Sequence, residues 1–159
     1  MLSAQSGAVH NKLGLLFLEI TRMQLEINRI YKGEKYVKEE KIRVLMIEPH
    51  KYPQEHILKN DLNSMQEAVG GLIDIIGLEE NVCVLLNDDG KLIGLDGNRR
   101  LWNGDIIAGT FYVCGSDNEG NLTSLNDEQI ERYSQMFFEP QEFRKEEVEE
   151  TIRIDFFMF

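Results

Sequence analysis

Ile42-Arg43-Val44-Leu45-Met46-Ile47-Glu48-Pro49 is the stretch at which the chain changes its period. Six residues run apolar and largely β-branched with one arginine among them, which is the pattern of a strand. Pro49 then ends the run, because proline lacks the amide hydrogen a ladder needs. Everything before Ile42 reads differently. Glu34 to Lys41 is charged and unpatterned, a linker, and upstream of it Leu13, Leu16, Phe17, Ile20, Met23, Ile27, Ile30 and Tyr31 recur at helical steps, closed by Lys32-Gly33. This predicts an amphipathic helix over residues 11–32. Leu15, Leu18 and Leu25 widen its stripe beyond what one small sheet covers, so self-association through residues 11–32 is an expectation.

Downstream of Pro49, Asn60 or Asp61 caps a helix carrying Leu62, Met65 and Val69, stopped by Gly70-Gly71. Leu72–Leu78 reads as a strand. Val82–Leu86 and Leu92–Leu95 flank Asn87-Asp88-Asp89-Gly90 and are expected to pair as a hairpin. Turns at Asp96-Gly97 and Asn103-Gly104-Asp105 bracket Asn98–Trp102, and one long strand follows from Ile106 to Cys114. Asn118–Asn121 is a turn. Asn126-Asp127-Glu128-Gln129 has the form of a capping box, opening a helix with Ile130, Tyr133 and Phe137 on one face. After Pro140 and the charged stretch 142–150, Thr151–Phe156 alternates polar and apolar, a last strand or an edge offered to a partner. The fold class this implies is α+β: a mostly antiparallel sheet of about five strands with one or two packed helices, plus the N-terminal amphipathic helix. The organisation is a helix and linker over 1–40, a core domain over 41–140, and an acidic tail with a terminal strand over 141–159.

Apolar residues make up 42% of the 159-residue chain, enough to support one core plus an appendage. Cys83 and Cys114 each sit in an apolar run and read as buried free thiols rather than a disulfide. The first apolar stretch lacks the basic lead-in and cleavage site of a secretory leader and is interrupted by Glu19, Arg22 and Glu26, so a cytoplasmic protein is expected, with no membrane span. The net charge of −11 is unevenly spread: +2 over residues 1–41, −5 over 42–116 and −8 over 117–159. Such a field repels phosphate backbones and argues against direct nucleic-acid binding; a basic protein partner fits it.

No catalytic signature is visible. His10, His50 and His56 lack metal-ligand spacing with cysteines or carboxylates and read as surface or loop histidines, so neither a metal nor another cofactor is expected. Gly70-Gly71 follows a helix and precedes a strand, the reverse of a phosphate-cradling loop. Two surfaces carry binding chemistry. Asn98, Arg99 and Arg100 place two guanidinium groups and an amide between glycine turns, a candidate site for a small nucleotide-like anion, with Trp102 beside them to stack on a base. The competing reading has Arg99 or Arg100 pinning the turn on Asp96 or Asp105, and Trp102 half-buried. The second surface is acidic: Glu128, Glu131, Glu139, Glu142, Glu146 and Glu147 resemble the charge spacing of a duplex and offer a contact for a nucleic-acid-binding protein. Against it stands an ordinary solvated acidic helix.

One resemblance gathers several of these motifs. Ile42-Arg43-Val44-Leu45 before Glu48-Pro49, the Val69-Gly70-Gly71 corner, Asn87–Leu92, Asn98-Arg99, Asp105–Thr110 and Leu125–Ile130 together resemble the uncharacterised bacterial and phage family known as domain of unknown function 3846, over residues about 42–140. The resemblance implies a small accessory protein of phages, plasmids or conjugative elements and brings no enzymatic activity with it. The expected function is therefore non-catalytic: counter-defence, by binding and blocking a host restriction or CRISPR effector through the acidic surface. The alternatives are a small-ligand binder at Asn98–Arg100 and an interaction module without a ligand.

Overall fold

The computed structural model describes residues 19–24 and 38–157. The chain divides into two compact units, 1–38 and 39–159. In the first, residues 19–24 are helical; the remainder of the helix predicted over 11–32, and with it the proposed self-association stripe, lies outside the described residues.

The second unit is α+β. Its strands are β1 (Lys41–Ile47), β2 (Gln54–Lys59), β3 (Ile73–Glu79), β4 (Val82–Asn87), β5 (Gly97–Arg100), β6 (Ile106–Ala108), β7 (Phe111–Ser116) and β8 (Leu122–Thr123). Three helices are interspersed: α1 (Leu62–Val69), α2 (Asp127–Met136) and α3 (Lys145–Phe157). The main sheet runs in the order β2-β1-β7-β4-β3, antiparallel throughout, with β8 added beside β7. β5 and β6 form a separate two-stranded ribbon.

Strand alternation divides the apolar residues between two faces. Leu45, Ile47, Val82, Val84, Phe111 and Val113 face α2, which contributes Ile130 and Tyr133, with Phe137 at its end. Ile42, Val44, Cys83, Leu85, Tyr112 and Cys114 face α1, which contributes Met65 and Val69. Both helices begin where the capping chemistry places them. Asp61 accepts from the Ser64 amide at 2.8 Å, and Asn126 and Gln129 exchange side-chain and backbone bonds at 2.8 and 2.9 Å. Cys83 and Cys114 lie directly opposite each other on β4 and β7 as buried free thiols. Burial pushes the Cys83 thiol up to about 11 and raises that of Cys114 as well, which disfavours the thiolate at both.

Three expectations are corrected, and one strand was not foreseen. Val82–Leu86 does not pair with Leu92–Leu95: β4 has β3 on one edge and β7 on the other, leaving no place for a third strand. The Asn87 side chain accepts from the Asp89 amide and donates to Val69, turning the chain off the sheet into turns with Leu92 and Ile93 exposed. The long strand predicted over Ile106–Cys114 is cut at Gly109, which adopts φ +84 and donates its amide to Asp96. Thr151–Phe156 is not a terminal strand but part of α3, because the helix-favouring Lys145-Glu146-Glu147-Val148-Glu149-Glu150 nucleates a helix that continues through it. Finally, β2 was not anticipated. It is an edge strand with only Leu58 buried, so its sequence carries almost no apolar signal.

Candidate functional site: a buried arginine and the surface built on it

β5 begins at Gly97, and the reason for glycine there is a close approach. A Cβ on Gly97 would stand 2.9 Å from both Phe143 Cδ2 and Val148 Cγ2. The C-terminal arm, residues 141–144 and the helix α3 that follows, is therefore seated on β5 through these two side chains, which join Leu95, Ile106 and Ala108 in a small third core. Beside the arm, the Lys91–Asp105 ion pair lines a cavity of about 210 Å³ whose wall includes Ile152.

Asn98 and Arg99 follow, and both are completely buried. Asn98 Nδ2 donates to the carbonyls of Ile47 and Gly109, each at 2.8 Å. The Arg99 guanidinium donates from Nε to the Phe137 carbonyl at 3.0 Å, from Nη1 to Asn98 Oδ1 at 2.8 Å and the Asn98 carbonyl at 3.2 Å, and from Nη2 to the Lys51 carbonyl at 2.7 Å. Burial lowers its proton affinity and the charge of Glu139 offsets this, but a guanidinium stays protonated regardless. Neither acid named as its sequence-level partner is used: Asp96 goes to His50 and Asp105 to Lys91. A side chain spent in this way is not open to an external anion, which corrects the reading of Asn98 and Arg99 as ligand-binding residues.

Arg100 is exposed. Its amide donates to Gln141, its guanidinium to the Gly104 carbonyl, and it lies 5.4 Å over the Phe143 ring. Trp102, which sequence patterning left between a stacking and a half-buried role, is 66% exposed. The Asn98–Trp102 cluster is thus split by β5 into an inward pair and an outward pair, and only the outward pair meets solvent.

The inward pair has a consequence on the surface. Arg99 holds the carbonyls of Lys51 and Phe137, and the next residue in each segment is an aromatic one: Tyr52 and Phe138, 55% and 51% exposed, with ring centroids 4.9 Å apart. Sequence reasoning missed this pair because its members are remote in the chain; the signal available was an aromatic residue shortly before a proline in both segments, Tyr52-Pro53 and Phe138-Glu139-Pro140.

Next to Lys51, His50 adopts φ 65 and stands between two carboxylates, Nδ1 at 2.7 Å from Glu142 and Nε2 at 3.3 Å from Asp96. Glu142 first and Asp96 second raise its affinity for a proton. The loop after β1 is thereby clasped to the arm. Among the acids expected to form a protein contact, Glu128 pairs with Arg132, Glu142 with His50, and Glu147 accepts from the Arg144 amide. Glu131, Glu139 and Glu146 are exposed and have no ion-pair partner among the described residues.

A family model described as Domain of unknown function (DUF3846) matches residues 42–138. The chain belongs to that family. No curated protein and no solved structure matches it. The DUF3846 match takes in β1 from its second residue, every later strand, α1 and α2, and therefore the whole path from Arg99 to the Tyr52–Phe138 pair. The clasp at Glu142 and α3 lie beyond it. Among the described residues there is no group of three or more histidine, cysteine or acidic side chains able to hold a metal, and no helix long and apolar enough to cross a membrane.

Proposed function

We propose that the protein acts without catalysis, as a mobile-element accessory protein that binds a basic, nucleic-acid-handling host protein through its acidic C-terminal surface and blocks it, as an anti-restriction or anti-CRISPR inhibitor does. The observation that carries this reading is the set of exposed carboxylates left over after local pairing, Glu131, Glu139, Glu146, Glu149 and Glu150, in a chain of net charge −11. Excess like charge costs compactness, so its retention on one stretch is explained by a partner of opposite sign, which it also steers toward encounter. The resemblance to phage and plasmid accessory proteins points the same way. Capture of a nucleotide-like anion at Asn98–Arg100 has lost its support, since two of its three members are enclosed and hydrogen-bonded within the fold. Self-association through residues 11–32 remains part of the proposal, and light scattering on the full chain against one starting at Glu39 tests it.

Co-elution of the purified protein with candidate restriction and CRISPR effector complexes on a sizing column, at low and at physiological salt, tests the main reading. A complex that weakens steeply with salt supports it. If no complex survives even at low salt, where steering between opposite charges is strongest, the reading fails.

A further inference from the structure

We propose that the exposed Tyr52–Phe138 ring pair is the seat for an arginine side chain of the basic partner. The inference rests on the acidic-surface reading and names where on that surface recognition is concentrated. Neither ring belongs to a core cluster of the fold, and each is about half in water. Yet both are held in register by a buried charge, because Arg99 fixes the carbonyl immediately preceding each ring at 2.7 and 3.0 Å. Arg99 thus anchors the backbone beneath both rings, and the rings, packed against each other outside the core clusters, present their faces to solvent.

The charges around the rings select what that face accepts. Lys51 is held by Glu48 at 3.0 Å, and His50 lies between Glu142 and Asp96. Glu139, directly after Phe138, is exposed and adds a negative charge that is also felt by the buried Arg99. Exposed aromatic faces carried by segments in which acids outnumber bases favour a cation and disfavour a phosphate. Among cations, a guanidinium is flat, weakly hydrated and able to stack on a ring while its edge donates to a carboxylate; an ammonium is strongly hydrated and does not lie flat. Arginine fits this site better than lysine.

The test uses the full chain with two probes, an octa-arginine and an octa-lysine peptide, followed by titration calorimetry and by the aromatic resonances of Tyr52 and Phe138. Octa-arginine should bind more tightly than octa-lysine and shift both rings. Tyr52→Ser and Phe138→Ser should each weaken octa-arginine about two- to fivefold, with octa-lysine little changed. Phe138→Leu, which keeps the apolar bulk without the π-face, should weaken octa-arginine similarly and guards against a folding defect. If the double ring variant binds octa-arginine as the parent does, while Glu131→Gln with Glu146→Gln weakens both peptides, the ring seat is wrong and the acidic-surface reading stands. If ring-dependent arginine binding persists while those charge variants have no effect, the seat stands and the broad acidic contact is wrong. If neither peptide binds at low salt, both are overturned. If the rings instead mediate a concentration-dependent dimer that either serine variant abolishes, their occupant is a second copy and the arginine assignment fails.

Discussion

Arg99 makes no ion pair among the described residues; its hydrogen bonds go to the carbonyls of Phe137, Lys51 and Asn98 and to the Asn98 side chain, with Glu139 acting only through its charge. Removing it leaves several enclosed acceptors without donors, and each such orphan costs roughly 1–3 kcal/mol. Arg99→Met should therefore destabilise the fold by about 3 kcal/mol or more, read as a lowered midpoint in urea. Arg99→Lys should not rescue it, because one ammonium cannot span both carbonyls. The three-residue polar cluster was visible in the sequence, but its direction was not. Whether Arg99 points inward depends on which carbonyls the loop after β1, β5 and the end of α2 bring to it, and that is a property of the assembled fold. His50 gives a second residue-scale prediction. Its folded-state proton affinity is raised above the ordinary value of 6.5, so the clasp contributes fully below that pH and is lost as pH rises through the higher folded value. The melting temperature of the parent should fall across that window relative to His50→Gln, in which the slope should flatten; parallel profiles for the two would show that the clasp contributes nothing.

At the scale of elements, the caps were the most legible feature. Local chemistry names Asn126 for one helix and Asn60 or Asp61 for the other, and the helices start after Asn126 and Asp61. Asn126→Ala should cost about 1 kcal/mol, measured by chemical denaturation. Legibility failed where the outcome depended on a remote partner. The turn at Asn87–Gly90 is real, yet the hairpin it suggested is excluded by β7, a strand that arrives later in the chain. The strand expected at Thr151–Phe156 rests on alternation within that stretch, which carries no sign of the seat the arm finds. That seat is Gly97. In Gly97→Ala the added methyl collides with Phe143 and Val148, so the arm should lift while the six-stranded sheet persists. Limited proteolysis should then cut after residue 140 with little loss of the core's cooperative unfolding, whereas an unchanged cleavage pattern would mean the arm is held some other way.

For the whole molecule, the gradient of charge toward the C-terminus was fully readable, since counting needs no geometry, and it fixes the sign of the response to salt. Screening lengths fall from about 30 Å at 0.01 M to about 8 Å at 0.15 M. A chain of net charge −11 should accordingly gain thermal stability over that range while its complexes with basic partners weaken.

The order of the sheet governs how the chain assembles in time. β1 with β2 and β3 with β4 are local pairings, but β7, which lies between the two pairs, emerges only after residue 110. Until then each pair has an open edge, the face that α2 will cover lies bare, and a lone two-stranded unit is marginal in water. On a ribosome these strands wait, exposed, for a single six-residue segment. A chain ending at Thr110 should show little cooperative structure by circular dichroism and should aggregate. Refolding of the complete chain should be slow for its size, because its central strand joins partners distant in sequence. For this protein, arrival of Phe111–Ser116 separates a vulnerable nascent chain from a closed fold.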